Sequence, residues 1–554
     1  MLHEKYINET KLAGAVTNLE FNIPDDFNFA YDIVDELALQ NPDKLALQWC
    51  NDEGAERRIT FGDVKRESER IAALLVKLGI KKGDRVMLVL KRHFEYWYAI
   101  IACHKIGAIV IPATNQLQVK DFAYRFKVSG TKLVISTPDD DTPAGIDEAC
   151  LELGEDAPIR IIVRQRREGW ISLEDELENC PPFVRPTGEA ATCAKDIMLM
   201  YFTSGTTGYP KMASHDFTYP LGHVRTAKYW QNVEPDGLHL TVSDTGWAKA
   251  SWGKLYGQWL MECAVMVYDY DRFSAQRLLD VMCKYKVSTF CAPPTIFRFI
   301  IHEDLASYDL SFIKRVTMAG EALNPEVFMR FKEITGLTIC EGFGQSETTC
   351  CLGTPYWIEA RPGAMGKEMP GYRMAILDGH GDPAPAGVVG EIAFRSPYCN
   401  GPAGLFRGYY NDEERTDEAW HDGYYRTGDT AWRDEDGYYY YVGRVDDLIK
   451  SSGYRIGPFE VESVLMEHKS VLECAVTGAP DPIRGQVVKA TIVLTKNYSP
   501  SEELKKEIQD YVKSHTAPYK YPRVIEFVEA LPKTVSGKIQ RNLLRQADLK
   551  SEDN

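Results

Sequence analysis

Along most of the chain, short runs that are apolar at nearly every position alternate with longer stretches in which apolar residues recur every three or four positions. The first pattern predicts strands buried on both faces, and the second predicts the helices that cover them. Together they are the mark of parallel strands joined by crossover helices. Strands are expected at residues 85–90, 108–112, 132–136, 197–202, 264–268, 287–291, 315–318 and 337–340. One helix is punctuated at both ends: Asn324 caps it, Pro325 opens its first turn, Val327, Phe328, Phe331 and Ile334 form one face, and Gly336 ends it.

After about Gly366 glycine and proline crowd residues 370–402 around short alternating runs such as 391–394, which predicts an antiparallel, barrel-like unit. Beyond Arg444 the polar run Val445, Asp446, Asp447 precedes a compact α+β segment. Its strands fall near 473–476 and 487–494, and its helix, capped by Ser499, Pro500 and Glu502, carries Leu504, Ile508 and Tyr511. A domain boundary is expected at Asp446. No repeat or low-complexity tract interrupts this order.

Composition narrows the class. At roughly 150 residues per domain, 554 residues make three to four domain-sized units, and 44% hydrophobic with 26% charged residues is an ordinary globular balance. A net charge of −16 argues against nucleic acid as a partner. The best membrane candidate, residues 98–113, is broken by His104 and Lys105 and falls short of the roughly 18 apolar residues that a span needs. The first ten residues carry no apolar signal core. Thirteen cysteines without a C-x-x-C pair, and eleven histidines without ligand spacing, read as thiols of a reducing cytoplasm and as core or surface histidines.

The sharpest local signal is TSGTTGYPK, Thr203 to Lys211, directly after an apolar run. Small hydroxyl and glycine residues let backbone N–H groups turn toward an anion, and the lysine adds the charge that phosphates attract. Pro210 stands where a Walker A loop has glycine, so the string is a different phosphate loop. EGFGQSE, Glu341 to Glu347, places an aromatic, two glycines and a carboxylate at the end of a strand, where open α/β sheets bind ligands. Asp429 in YRTGD has two oxygens able to accept from a pair of hydroxyls, although an Asp after Gly is also a common turn former.

Six strings stand in one order: TSGTTGYPK, MAGEAL from Met318, EGFGQSE, YRTGD from Tyr425, GRVDDLIKSSGYRIGPFEVE from Gly443, and PKTVSGKIQR from Pro532. In this the chain resembles the adenylate-forming superfamily of acyl-CoA synthetases, peptide-synthetase adenylation domains and luciferases. Its TGWAK and SSGYR strings are most similar to medium-chain and branched-chain acyl-CoA synthetases. The resemblance implies an α/β fold: a large N-terminal AMP-binding domain, 1–444, of two doubly wound α/β subdomains plus a distorted β-barrel subdomain, then a small mobile α+β C-terminal domain, 445–554, hinged at Asp446.

It also implies roles. The nucleotide would be held by Thr203, Ser204, Gly205, Thr206, Thr207, Gly208 and Lys211, by Gly320, Glu321 and Ala322, and by Glu341, Gly342, Phe343, Gly344, Gln345 and Ser346. Phe343 would stack on adenine, Ser346 contact the α-phosphate, Glu347 hold Mg2+, Asp429 bind the ribose hydroxyls, and Arg444 lie along the ribose and phosphates. Tyr and Thr are commoner in the superfamily at the places of Phe343 and Ser346. Lys538 would bridge the incoming carboxylate and the α-phosphate. Lys538, Glu347, Lys211 and Arg444 are the implied catalytic set.

At matched positions Trp247, Ala248, Lys249, Ala319 and Gly344 line the acyl pocket. Acetate-specific relatives have tryptophan where this chain has Gly344, so a longer or branched acid is expected to fit. An ammonium in an apolar pocket is costly, and Lys249 is expected either to limit the pocket or to point to water. Ser452, Gly453, Tyr454 and Arg455, with Arg484 and Tyr521 to Arg523, match the coenzyme A contacts.

The expected activity is ATP-dependent conversion of a medium-chain or branched short-chain acid to an acyl-adenylate and then to acyl-CoA, releasing pyrophosphate and AMP. A thiol of pKa about 8.5 needs no strong dedicated base. The alternatives are an aryl-CoA ligase for benzoate-like acids and, from another class, a non-catalytic nucleotide-binding regulatory protein. The implied partners are a small carboxylic acid, ATP, Mg2+ and coenzyme A. The sequence leaves the oligomeric state open, a homodimer included.

Overall fold

The computed structural model describes residues 1–203, 210–396, 402–451, 454–533 and 539–552. Its first large sheet runs in the order Lys211–Asp216, Ile197–Thr203, Ile109–Pro112, Arg85–Val89, Thr131–Ser136, Ile159–Ile162, Ile171–Ser172. All neighbours are parallel except the first pair, here β1 (Ile197–Thr203) and β2 (Lys211–Asp216). The central strands are buried on both faces, as their uninterrupted apolar runs require.

The second sheet contains a parallel run reached through α1 (Ala248–Gly253), β3 (Arg315–Met318), α2 (Pro325–Thr335) and β4 (Ile339–Phe343). β4 lies beside β3, followed by Thr289–Ala292, Leu238–Thr241, Ala264–Asp269 and Leu45–Asn51, with Glu56–Thr60 antiparallel at the edge. In the other direction β4 continues antiparallel through Leu352–Gly353 and Ala364–Glu368, which pairs with β6 (Tyr439–Arg444); β5 (Tyr424–Arg433) lies beyond β6, with Gly390–Arg395 and Met374–Leu377 outermost. The change from parallel to antiparallel pairing expected late in the chain is therefore present, and it falls at β4 itself.

A separate five-stranded sheet begins at Ile449 and combines Tyr454–Ile456, Ile449–Ser451, Gly485–Leu494, Val471–Asp481 and Val524–Phe527. Two helices, Pro458–Glu467 and Glu502–His515, pack on it around Val461, Leu465, Ile508 and Val512.

Helix α2 shows how local chemistry sets these elements. The Asn324 side chain accepts from the Glu326 amide at 2.7 Å, Pro325 fixes the first turn, and Gly336 ends the helix at φ 72°. Val327, Phe328 and Phe331 are buried, each stabilising the fold by roughly 1.5–3 kcal/mol. Ile334, expected on the same face, is 36% exposed.

The later helix, expected to be capped by Ser499, Pro500 and Glu502, is capped by Ser501, whose hydroxyl accepts from the Leu504 amide, and Val512 rather than Tyr511 completes its core. Two predicted strands start later than expected, at Thr289 and Ile339. The second extends to Phe343 because Met318 pairs with Glu341 and Leu352 with Phe343, so half of EGFGQSE is strand.

Candidate active site

β1, β3 and β4 all end on the side where open α/β sheets receive ligands. Thr203 and Lys211 face each other across the β1–β2 ladder, and the predicted Ser204, Gly205, Thr206, Thr207 and Gly208 between them lie outside the described residues. The Lys211 ammonium stands 4.6 Å over the ring of Tyr409. The Tyr409 hydroxyl donates at 2.9 Å to the carboxylate of buried Glu347, and the Phe406 amide donates at 2.8 Å to the Glu347 carbonyl. Burial raises the Glu347 pKa; Tyr409, the residue's own amide, Lys211 and Arg444 work in the opposite direction without cancelling it. This carboxylate is short of positive charge, the environment that a cation would relieve.

Strand period two puts Glu341 and Phe343 on one face of β4. Glu341 accepts from the Leu323 amide, has one carboxyl oxygen without a partner among the described residues, and is pushed by burial well above the usual carboxylate range. Gly342 must lack a side chain, because a Cβ there would stand 2.6 Å from the Trp230 indole. Phe343 is half-buried, its ring 6.5 Å from that of Tyr441.

Tyr441 donates to one oxygen of Asp429 at 3.1 Å and Gln345 to the other at 2.6 Å, with an Arg444 guanidinium nitrogen 3.5 Å away. Gln345 is itself fixed by the Thr427 carbonyl and the Tyr425 hydroxyl. Asp429 is thus oriented by donors on both of its oxygens. The loop after β3 carries Gly320, at φ 115° and with a Cβ position 4.0 Å from the Lys249 ammonium, exposed Glu321, which turns to Arg298 at 3.6 Å, and half-buried Ala322.

On the acyl side, Trp247 caps α1 and Ala248 and Lys249 form its first turn, all half-buried. The Lys249 ammonium donates at 2.6 Å to the Ala319 carbonyl and so ties α1 to the loop after β3. At Gly344 a Cβ would lie 2.4 Å from the Thr349 carbonyl oxygen and 2.5 Å from the Trp252 indole on α1, so close packing requires glycine there.

The coenzyme A candidates lie on the last sheet. Tyr454, 51% exposed, stacks on Tyr519 with centroids 4.0 Å apart, and Tyr521 carries Arg523 on its hydroxyl at 2.8 Å and Lys513 over its ring at 4.2 Å. Arg484 is exposed. Ser452 and Gly453, and the side chain of Arg455, lie outside the described residues. Asp446 is exposed in the short turn Val445–Asp447 between β6 and the last sheet.

Lys538 also lies outside the described residues. Of its flanks, Lys533 and Ile539 pair as an antiparallel bridge, and Arg541 grips Glu462 at 2.6 Å while acting electrostatically on the Tyr441 phenol. The tyrosines at 409 and 441 and Trp252 were not singled out in the sequence. None belongs to a string whose spacing implies chemistry, and only the fold gathers them.

Among the described residues no helix is long and apolar enough to cross a membrane, and the cysteines are free. A family model for AMP-binding enzymes matches residues 34–410, and one for the AMP-binding enzyme C-terminal domain matches residues 460–538. Acyl-coenzyme A synthetase ACSM3, mitochondrial, of Rattus norvegicus is 40% identical over 548 residues, covering 96% of this chain and 92% of its own length. Acyl-coenzyme A synthetase ACSM5, mitochondrial, of Homo sapiens is 39% identical over 545 residues, covering 95% of this chain and 91% of its own. The structure of the anthranilate CoA ligase AuaEII with anthranoyl-AMP is similar at a TM-score of 0.85 and 28% identity, over 96% of this chain and 99% of its own. A benzoate CoA ligase from Burkholderia xenovorans LB400 is similar at 0.80 and 26%, over 94% and 100%. With the first family model matching well over half of the chain and relatives about 40% identical along nearly all of it, the chain belongs to the AMP-binding enzymes, as an acyl-coenzyme A synthetase.

Proposed function

We propose that this acyl-coenzyme A synthetase activates a medium-chain or branched short-chain acid. The observation that carries the mechanistic reading is the convergence of Lys211, buried Glu347 on Tyr409, and the Asp429–Gln345–Arg444 group at one end of the sheets. A carboxylate oxygen of the acid attacks the α-phosphorus of ATP, the bond to the bridging oxygen breaks, and pyrophosphate leaves. The coenzyme A thiol then attacks the acyl carbonyl, displacing AMP. Asp429 orients the ribose, Arg444 and Lys211 draw charge from the phosphate oxygens, and Phe343 offers a face to the base. Lys538 offsets the repulsion between the two meeting anions.

Glu347 fits a divalent cation. Among the described residues no cluster of three or more His, Cys, Asp or Glu gathers there or elsewhere, and a single hard carboxylate is what Mg2+ uses when phosphates and waters complete its shell. Bound there, Mg2+ would neutralise charge on the phosphate oxygens.

We further propose residues 1–444 and 445–554 as the working domains, hinged at Asp446 in the exposed turn after β6, with the coenzyme A contacts on the second. A reducing compartment suits the free cysteines and extends to both the cytoplasm and the mitochondrion named for the relatives.

Trp252 packs against Gly344, one of the residues proposed to line the acyl pocket, and so is a candidate for setting its depth. Trp252→Ala is expected to shift preference toward longer unbranched acids, because each further methylene buried adds about 0.8 kcal/mol, roughly fourfold in kcat/KM. An unchanged chain-length profile would remove Trp252 from the pocket. The similarity to benzoate and anthranilate ligases sustains a second reading, an aryl acid. Steady-state kinetics across linear, branched and aromatic acids decides between them: the highest kcat/KM is expected on an aliphatic acid, and a benzoate-like optimum would establish the aryl reading.

A further inference from the structure

Strand β2, which follows the TSGTTGYPK string, carries a histidine that no motif accounts for. His215 on β2 has no solvent exposure, and its Nε2 lies 2.8 Å from the carbonyl oxygen of Ser346. A carbonyl only accepts, so Nε2 bears the proton. Burial, assisted by the charge of Arg407, lowers the imidazole pKa to about 3, which keeps the ring a neutral donor at working pH. Its Nδ1 has no hydrogen-bond partner among the described residues. The ring is held by packing, 3.9 Å between centroids from Tyr219 and 6.4 Å, edge-on, from Tyr201, whose hydroxyl is bonded to Ser251.

The Ser346 carbonyl and the Glu347 amide belong to one planar peptide unit. The N–H of that unit bonds the Glu347 carboxylate itself, and the Tyr409 hydroxyl bonds the same carboxylate at 2.9 Å. Whatever fixes the carbonyl therefore fixes the plane from which the carboxylate is aimed.

We infer that His215 is a positioning residue. Through its Nε2–H it orients the Ser346–Glu347 peptide, and so couples the phosphate-loop strand to the cation-binding carboxylate. The inference rests on the proposed role of Glu347.

Two variants separate geometry from bulk: His215→Phe keeps the ring stack and loses the donor, while His215→Gln restores an N–H of similar reach. Carboxylate-dependent pyrophosphate release is measured against free Mg2+, and acyl transfer to coenzyme A is measured from supplied acyl-adenylate. His215→Phe is expected to lose about 10- to 100-fold in the first reaction, the cost of one unsatisfied buried partner, and to need more Mg2+ for half-maximal rate. His215→Gln is expected to recover most of that loss. Both should transfer the supplied acyl group at near wild-type rate, which also reports an intact fold. His215→Phe with unchanged rate and Mg2+ dependence would overturn the inference. So would equal loss of both half-reactions in the two variants, which would make His215 a general core residue. A wild-type enzyme that releases no pyrophosphate with any acid would instead bring down the underlying reading.

Discussion

Lys538→Ala is expected to reduce acyl-adenylate formation by about 10²- to 10³-fold and leave acyl transfer from supplied acyl-adenylate within about threefold of wild type, the loss expected for one preorganised donor at a site of developing charge. The asymmetry follows from electrostatics. In the first half-reaction an anionic carboxylate approaches an anionic phosphate, and a cation between them lowers that barrier. In the second a thiol attacks a carbonyl already activated as a mixed anhydride, and no second anion must be brought in. The described flanks of the lysine support the assignment: the Lys533–Ile539 bridge closes the segment, and Arg541, clamped on Glu462, acts on the same Tyr441 that orients Asp429. Equal loss of both half-reactions would refute the division of labour.

The second large effect pairs lost activity with gained stability. Glu347→Gln keeps the size and an acceptor for Tyr409 but removes the charge that attracts the cation, so adenylation should fall by roughly a hundredfold or more. Burial, the largest influence on this carboxyl, raises its folded pKa above the unfolded value. A carboxyl shifted in that direction contributes stability below the unfolded pKa and loses it as pH rises through the folded one. At neutral pH, without ligand, the wild type therefore carries a penalty for burying this carboxyl that the glutamine lacks. The Tm of Glu347→Gln should exceed that of wild type at neutral pH and the difference should shrink on acidification. Thermal melts at two pH values, without nucleotide or metal, check the sign; a lower Tm at neutral pH would show that the carboxylate is stabilising and already compensated by protein groups.

How far the sequence discloses this enzyme depends on whether a residue's neighbours are local. Helix α2 is legible because its cap, first-turn proline, apolar face and terminal glycine all lie within thirteen positions. The strand at 85–89 is legible because after Arg85 it is buried on both faces and reads as an unbroken apolar run. The strand Leu238–Thr241 is not, because it contains His239. That side chain looks polar in sequence but is buried between Thr289 and Thr241, a pairing visible only across strands. The hairpin Ile7–Leu12 with Ala15–Phe21 is hidden for a related reason, since its exposed positions dilute the apolar pattern.

The same distinction applies to the site. Thr203, Lys211, Glu341 to Glu347, Asp429 and Arg444 sit in strings whose order betrays them. Tyr409 and Tyr441, which hold the two carboxylates, come from elsewhere in the chain and carry no spacing of their own. The requirement for glycine at 344 is likewise visible only in the fold, because the Thr349 carbonyl and the Trp252 indole that crowd it lie outside its string.

The central claim is that this arrangement lets a carboxylate attack the α-phosphate of ATP. Positional isotope transfer tests it most directly. An acid labelled with ¹⁸O in its carboxyl group is turned over with ATP, Mg2+ and coenzyme A, and the released AMP is weighed by mass spectrometry. One ¹⁸O atom in each AMP, with pyrophosphate unlabelled, is the predicted result. Unlabelled AMP, or ADP and phosphate in place of AMP and pyrophosphate, would contradict the account.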